Sequence, residues 1–201
     1  MSSQYAATYN TELMTTEETE QPQSIYGTLM QHSQGLPNSR ALACMISSLY
    51  KGQGAMPSRL GLSRADFKGL LQLHFTGCRL PADPRTELEQ QDRAIEADDL
   101  KRLFLTHRRD NEQEREWIAD ILIAGCMASD HLWQDLGLWQ RADLTALIQY
   151  NFPSLAARND RDMKWKKFFY KQLCISEGIY ICRAPSCEVC TDYDNCFGSE
   201  E

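Results

Sequence analysis

The chain has 201 residues, 42% hydrophobic and 24% charged, with a formal net charge of −7. That length suffices for one domain with a substantial core, the composition is that of an ordinary soluble protein, and the acidic balance argues against a generic nucleic-acid binder, which carries a basic excess. The longest apolar run, Ile121 to Ala128, is far too short to cross a bilayer, and the start of the chain has neither the basic nor the apolar stretch of a signal peptide, so a cytoplasmic location with no membrane partner is expected.

Residues 1–24 are rich in Thr, Glu, Gln and Ser without apolar periodicity, and read as a disordered polar tail. Residues 25–178 read as a helical domain, with the helix signals dominating from about Ser39. The segment from Ser39 to Gly52 has Ser39 as N-cap and Gly52 as stop. The next helix has Ser63 as cap, Asp66 three residues on, a staple between Leu62 and Phe67, and Gly77 at its end. The stretch from Pro81 to Asp110 begins as a loop and becomes one or two charged amphipathic helices. Asn111 and Glu114 then form a capping box for a helix whose charged start is a solvated face and whose apolar second half belongs to the centre of the core.

His131 to Leu138 predicts a short helix ending at Gly137, and Arg141 to Pro153 a further helix stopped by the proline. The last helix lies before Gly178. At about 100° per residue, Trp165, Phe168, Phe169, Leu173 and Ile175 gather on a face expected to be buried, and Lys164, Lys167 and Lys171 on another. No alternating run long enough for a strand is present. The fold class predicted is all-α: a single helical domain followed, over residues 179–201, by an irregular cysteine-rich segment.

That segment carries Cys182, Cys187, Cys190 and Cys196 at spacing C-x4-C-x2-C-x5-C, against four cysteines in the preceding 181 residues. In a reducing compartment clustered cysteines are metal ligands rather than disulfides. Thiolates bind soft and borderline metals, and the metal keeps them deprotonated. The short x2 spacing wraps one centre tightly, and the looser flanks bring the outer two around it. Structural zinc sites usually use paired short knuckles. Iron–sulfur clusters accept less symmetrical spacings with four cysteines. Ligation chemistry therefore favours an iron–sulfur cluster, with a zinc-stapled interaction module as an alternative. A further alternative is a cluster-bearing DNA-processing enzyme of the helix–hairpin–helix glycosylase type. Those proteins place six residues between their first two cysteines and need a glycine-rich hairpin, whose pattern the Gly52–Leu62 stretch lacks.

Two blocks of the chain resemble the NifQ family, the molybdenum-handling proteins of nitrogen fixation, over roughly residues 40–201. One is AGCMASDHLWQDLGL, from Ala124 to Leu138. The other is MKWKKFFYKQLCISEG followed by the four-cysteine spacing and CFGSEE. The resemblance implies a mixed molybdenum–iron–sulfur cluster held by Cys182, Cys187, Cys190 and Cys196. It also implies a carrier rather than an enzyme, one that donates molybdenum to the nitrogenase cofactor assembly proteins NifEN with NifH.

The remaining candidates have plainer readings beside the functional ones. His131 and Cys174 could be auxiliary ligands, His131 being otherwise a cap or packing residue. His107 reads as a cation at a helix C-terminus. Cys44, Cys78 and Cys126 read as small buried hydrophobes, and the four tryptophans as core or interface anchors. The Lys164, Lys167 and Lys171 stripe reads as a solvated face, or as an attractant for molybdate or an acidic partner.

Overall fold

The computed structural model describes residues 24–85 and 94–176. Residues 1–23 of the expected polar tail, and the cysteine segment from 179 onward, lie outside the described residues. Among those described, all regular structure is helical: α1 (Ile25–Gln31), α2 (Ser39–Tyr50), α3 (Arg64–His74), α4 (Ala94–Thr106), α5 (Gln113–Cys126), α6 (Leu132–Asp135), α7 (Arg141–Asn151), α8 (Pro153–Ala156) and α9 (Trp165–Ser176).

Two helices are buried on nearly all sides. In α2 the run from Ala41 to Leu49 is inaccessible, and in α5 so is most of Ile118 to Cys126. Such all-round apolar helices are stable only when other elements surround them. α1 packs on α2, α4 on α5 and α9, and α7 on α2. The helix α1 has no counterpart in the sequence reading. It is short, capped by Ser24, and buries Leu29 completely against its neighbours, so tertiary packing rather than its own propensity holds it.

Several boundaries follow local chemistry. The Ser63 hydroxyl accepts from the Asp66 N–H at 3.1 Å and donates to its carboxylate at 2.6 Å, as the capping pattern predicts. Pro153 ends α7 and opens α8 from its first position. Gly137, at φ +72°, follows α6. A Cβ there would come within 2.6 Å of Ser48 Cβ, and the Ser48 hydroxyl donates to the Gly137 carbonyl at 2.7 Å. This position therefore serves a close approach between α2 and α6 as well as a turn.

Other expectations are corrected. Ser39 is the first residue of α2 rather than its cap. Asn38 takes the cap position without a side-chain capping bond. Asn111 and Glu114 form no capping box, since Glu112 is the cap residue and Glu114 and Arg115 turn inward, with only 7% and 2% of their surface exposed. The charged start of α5 is thus divided: Glu112 and Gln113 stay exposed, as expected of a solvated face, while Glu114 and Arg115 belong to an interior polar network. The network works because every charge in it is answered. Glu114 accepts from Asn38 at 2.6 Å and from Arg115 at 2.8 Å. Asn38 and Asn151 exchange amide bonds of 2.9 Å. These contacts tie the starts of α2 and α5 to the end of α7.

Between α2 and α3 the chain turns through Arg59 and Leu60, both left-handed at φ +55° and +57°. Side chains with a Cβ adopt this region only when their surroundings over-determine it. Here Leu60 is fully buried, and the Asp83 carboxylate accepts from the Arg59 N–H at 2.8 Å and the Ser58 hydroxyl at 2.9 Å.

Candidate functional site

The last described helix before the cysteine segment in sequence is α9. Phe169 meets Phe104 of α4 edge-on at 4.9 Å, Phe104 meets Phe152 at 4.9 Å, and Trp165 lies 5.7 Å from both Phe168 and Phe169. The Trp165 indole N–H donates to Thr145 Oγ1 at 3.1 Å. Aromatic pairs in such tilted and edge-on arrangements stabilise by more than their burial alone. The expected buried face holds for Trp165, Phe168 and Phe169. Tyr170 joins it, while Ile175 is 64% exposed and is a correction. Ile175 stands one residue before the end of α9, beyond the reach of its neighbours' packing.

The three lysines of the expected stripe differ in exposure, Lys164 and Lys167 being half-buried and Lys171 exposed. Lys164 precedes α9, and Lys167 and Lys171 lie on it. Lys171 is exposed. Its ammonium reaches Met163 Sδ at 3.9 Å, a weak contact. The sequence reading passed over Lys166, which is the lysine the fold uses most. Its ammonium donates to the buried Asp135 carboxylate and, at 2.8 Å, to the Ala128 carbonyl, pinning α9 to the α5–α6 connection. Burial pushes the Asp135 carboxyl up, against the bond and charge of Lys166 that pull it down. No local sequence signal separates Lys166 from its neighbours.

His131 occupies the cap position of α6 without a capping bond, is exposed, and lines a cavity of about 150 Å3 together with Trp133, Arg141, Lys164, Trp165 and Lys166. Cys174 is half-buried near the end of α9. His107 is not the cation expected of it. Burial, with Arg158 nearby, holds its pKa below the usual histidine value, and its Nδ1 lies 2.8 Å from Ser154 Oγ.

Burial pushes the Cys44 thiol up to about 11 and the Cys126 thiol up to about 12, and it raises that of half-buried Cys78 as well. These groups stay protonated at neutral pH and are poor metal ligands. Among the described residues no three His, Cys, Asp or Glu side chains converge in a way that could hold a metal ion. Cys182, Cys187, Cys190 and Cys196 all lie outside the described residues. Trp139 is 48% exposed and stacks on Tyr26 at 4.6 Å, while Trp117 donates to Asp66 at 2.9 Å. No helix among the described residues is long and apolar enough to cross a membrane.

The described body is helical, and the four-cysteine run follows it in sequence. The NifQ family profile matches residues 41–198, a span that includes all four C-terminal cysteines. Protein NifQ of Azotobacter vinelandii is 41% identical over 167 residues, covering 78% of this chain and 86% of that protein. Protein NifQ of Rhodobacter capsulatus is 40% identical over 151 residues, 74% of this chain and 81% of its own. A NifQ homologue of Sinorhizobium fredii is 34% identical over 163 residues, 79% and 71% of the two chains. The chain belongs to the NifQ family. No solved structure matches it.

Proposed function

We propose that this protein is a cytoplasmic carrier that holds molybdenum in an iron–sulfur cluster on Cys182, Cys187, Cys190 and Cys196 and supplies it for synthesis of the nitrogenase iron–molybdenum cofactor, with NifEN and NifH as recipients. The observation that carries the reading is the C-x4-C-x2-C-x5-C run inside the stretch matched by the family. Four cysteines are the common ligand set of iron–sulfur clusters.

The chemistry of the described body supports the same reading by contrast. Cys44 and Cys126 are buried, protonated thiols packed in the core, so thiolate ligation falls to the C-terminal segment. A carrier must retain its metal and also release it. Soft sulfur ligands supply retention. The body then acts as a scaffold and docking unit and needs no catalytic residue.

Metal and sulfide analysis of anaerobically purified protein tests this. Molybdenum together with iron and sulfide is expected. Iron and sulfide that stay free of molybdenum after incubation with molybdate, or stoichiometric zinc in a colourless protein, would overturn it.

A further inference from the structure

Two bonds fix the residues that follow α4 against the end of α7 and against α8. The Arg109 N–H donates to the Asn151 carbonyl at 2.8 Å, and His107 Nδ1 lies 2.8 Å from the exposed Ser154 hydroxyl. Arg109 and Arg158 are both exposed on the surface so formed. Arg158 stands close enough to His107 to help lower its pKa, and no carboxylate acts on that ring in the opposite sense. The local field is therefore positive, on a chain whose formal net charge is −7.

The neighbouring acids are committed elsewhere. Asp110 and Glu112 pair with Arg115 at 3.2 and 3.6 Å, and Glu116 pairs with Arg108 at 3.5 Å. Asp160, two residues beyond Arg158, is exposed and not paired with it. Among the described residues neither Arg109 nor Arg158 forms an ion pair. Arg109 is nonetheless held in place. Its guanidinium lies 4.6 Å over the Tyr150 ring, which Arg115 also approaches, at 5.1 Å. Arg115 is buried and its charge is answered, whereas that of Arg109 is exposed and open. Stacking fixes a planar guanidinium while leaving its N–H edge to other partners. Less side-chain freedom is then lost when a carboxylate pairs with it. Arginine beside an aromatic ring is also the composition of interface anchors.

We infer that Arg109 on Tyr150, with Arg158 beside the His107–Ser154 pair, forms a docking surface for an acidic patch on a partner protein. Charge complementarity selects that class. Duplex DNA, with one charge per about 1.7 Å, or an anionic lipid surface extends well past two arginines and would meet the acidic remainder of the chain. A protein surface presenting a few carboxylates pairs with the arginines alone. The adjoining Asp110, Glu112 and Glu116 repel an acidic partner that lands out of register. That the partner is a metal recipient rests on the proposed function, whereas the docking surface does not.

Fluorescence anisotropy of a short labelled poly-glutamate peptide, titrated with the full-length protein at low ionic strength, tests the inference, with a short DNA duplex and phosphatidylserine vesicles as competing probes. Saturable binding of the peptide is expected, tighter than that of either competitor and weaker as salt rises. Arg109→Gln with Arg158→Gln weakens it at least about tenfold, since charge-assisted bonds are lost. Arg109→Lys keeps the charge but loses the planar stack, and weakens it several-fold. Arg64→Gln with Lys68→Gln, two exposed cations of α3, leaves it unchanged. Absence of saturable peptide binding, tighter binding of the duplex or the vesicles, an affinity that the Arg109 and Arg158 variants leave unaltered, or an equal loss in the α3 variant overturns the inference. Metal content measured on the same preparations reports separately on the cysteine cluster.

Discussion

His74 Nε2 lies 3.1 Å from Glu114 Oε1, with the His74 side chain fully buried and that of Glu114 8% exposed. The other ring nitrogen of His74 is 3.0 Å from Ser39 Oγ, so one imidazole links the starts of α2 and α5 to the end of α3. Burial pushes the Glu114 carboxyl up, but bonds from His74 and Asn38, with attraction to His74 and Arg115, overturn that and hold it down at about 2 against a reference of 4.5.

That depressed value predicts an acid limb. A carboxylate whose folded pKa is lowered contributes stability that is complete above its unfolded value, near 4.5, and is lost as pH falls toward about 2. The loss over that window is up to about 3 kcal/mol. Chemical denaturation at a series of pH values should show it, and Glu114→Gln should flatten the dependence in this window. Replacement by alanine should cost about 3 kcal/mol, since Asn38, His74 and Arg115 each lose a buried partner atom, although Arg115 keeps its pairs with Asp110 and Glu112.

Lysines along one helix should separate sharply. Lys166→Met strands the buried Asp135 carboxylate and is expected to cost about 3 kcal/mol or more, whereas Lys171→Gln should stay within about 0.5 kcal/mol, as exposed substitutions do. Thermal melts of the two variants check the contrast.

Gly125 lies in α5 where a Cβ would come 2.8 Å from Leu136 Cδ2 and 3.0 Å from Leu132 Cδ1. In an open helix glycine to alanine would gain about 1 kcal/mol. Here overpacking should outweigh that gain and leave Gly125→Ala destabilised by about 1–2 kcal/mol, measurable as a lower denaturation midpoint.

Removal of metal should leave the helical body standing. Among the described residues the buried core runs from Leu29 to Tyr170, upstream in sequence of the four proposed ligands. Far-ultraviolet circular dichroism should change little on chelation, while proteolysis near the C-terminus should accelerate. Loss of most helical signal would make the cluster part of the core.

The two groups of cysteines should also part company. Replacing Cys187 and Cys190 together should abolish iron binding and visible absorption, because it removes two of four ligands. Cys126→Ala should retain both, with only a modest loss of stability from reduced packing.

How much of this was legible beforehand depended on the range of the interaction. The Ser63 cap, the Gly137 turn, the Pro153 stop, the helices from α2 to α7, and α9 arise from contacts within a few residues and from apolar periodicity. The cysteine run is likewise written as spacing, and the proposed cluster rests on it. Ser39, Glu114, Arg115 and Lys166 could not be read in that way. Each looked like a surface or capping residue, and each is buried because a partner distant in sequence, such as His74, Asn151 or Asp135, meets it in the folded chain. Local pattern reports which residues prefer water. Only tertiary packing decides which polar groups find enough bonds to leave it, and it likewise brings Arg141, from the start of α7, to the cavity wall beside Lys164 at the start of α9.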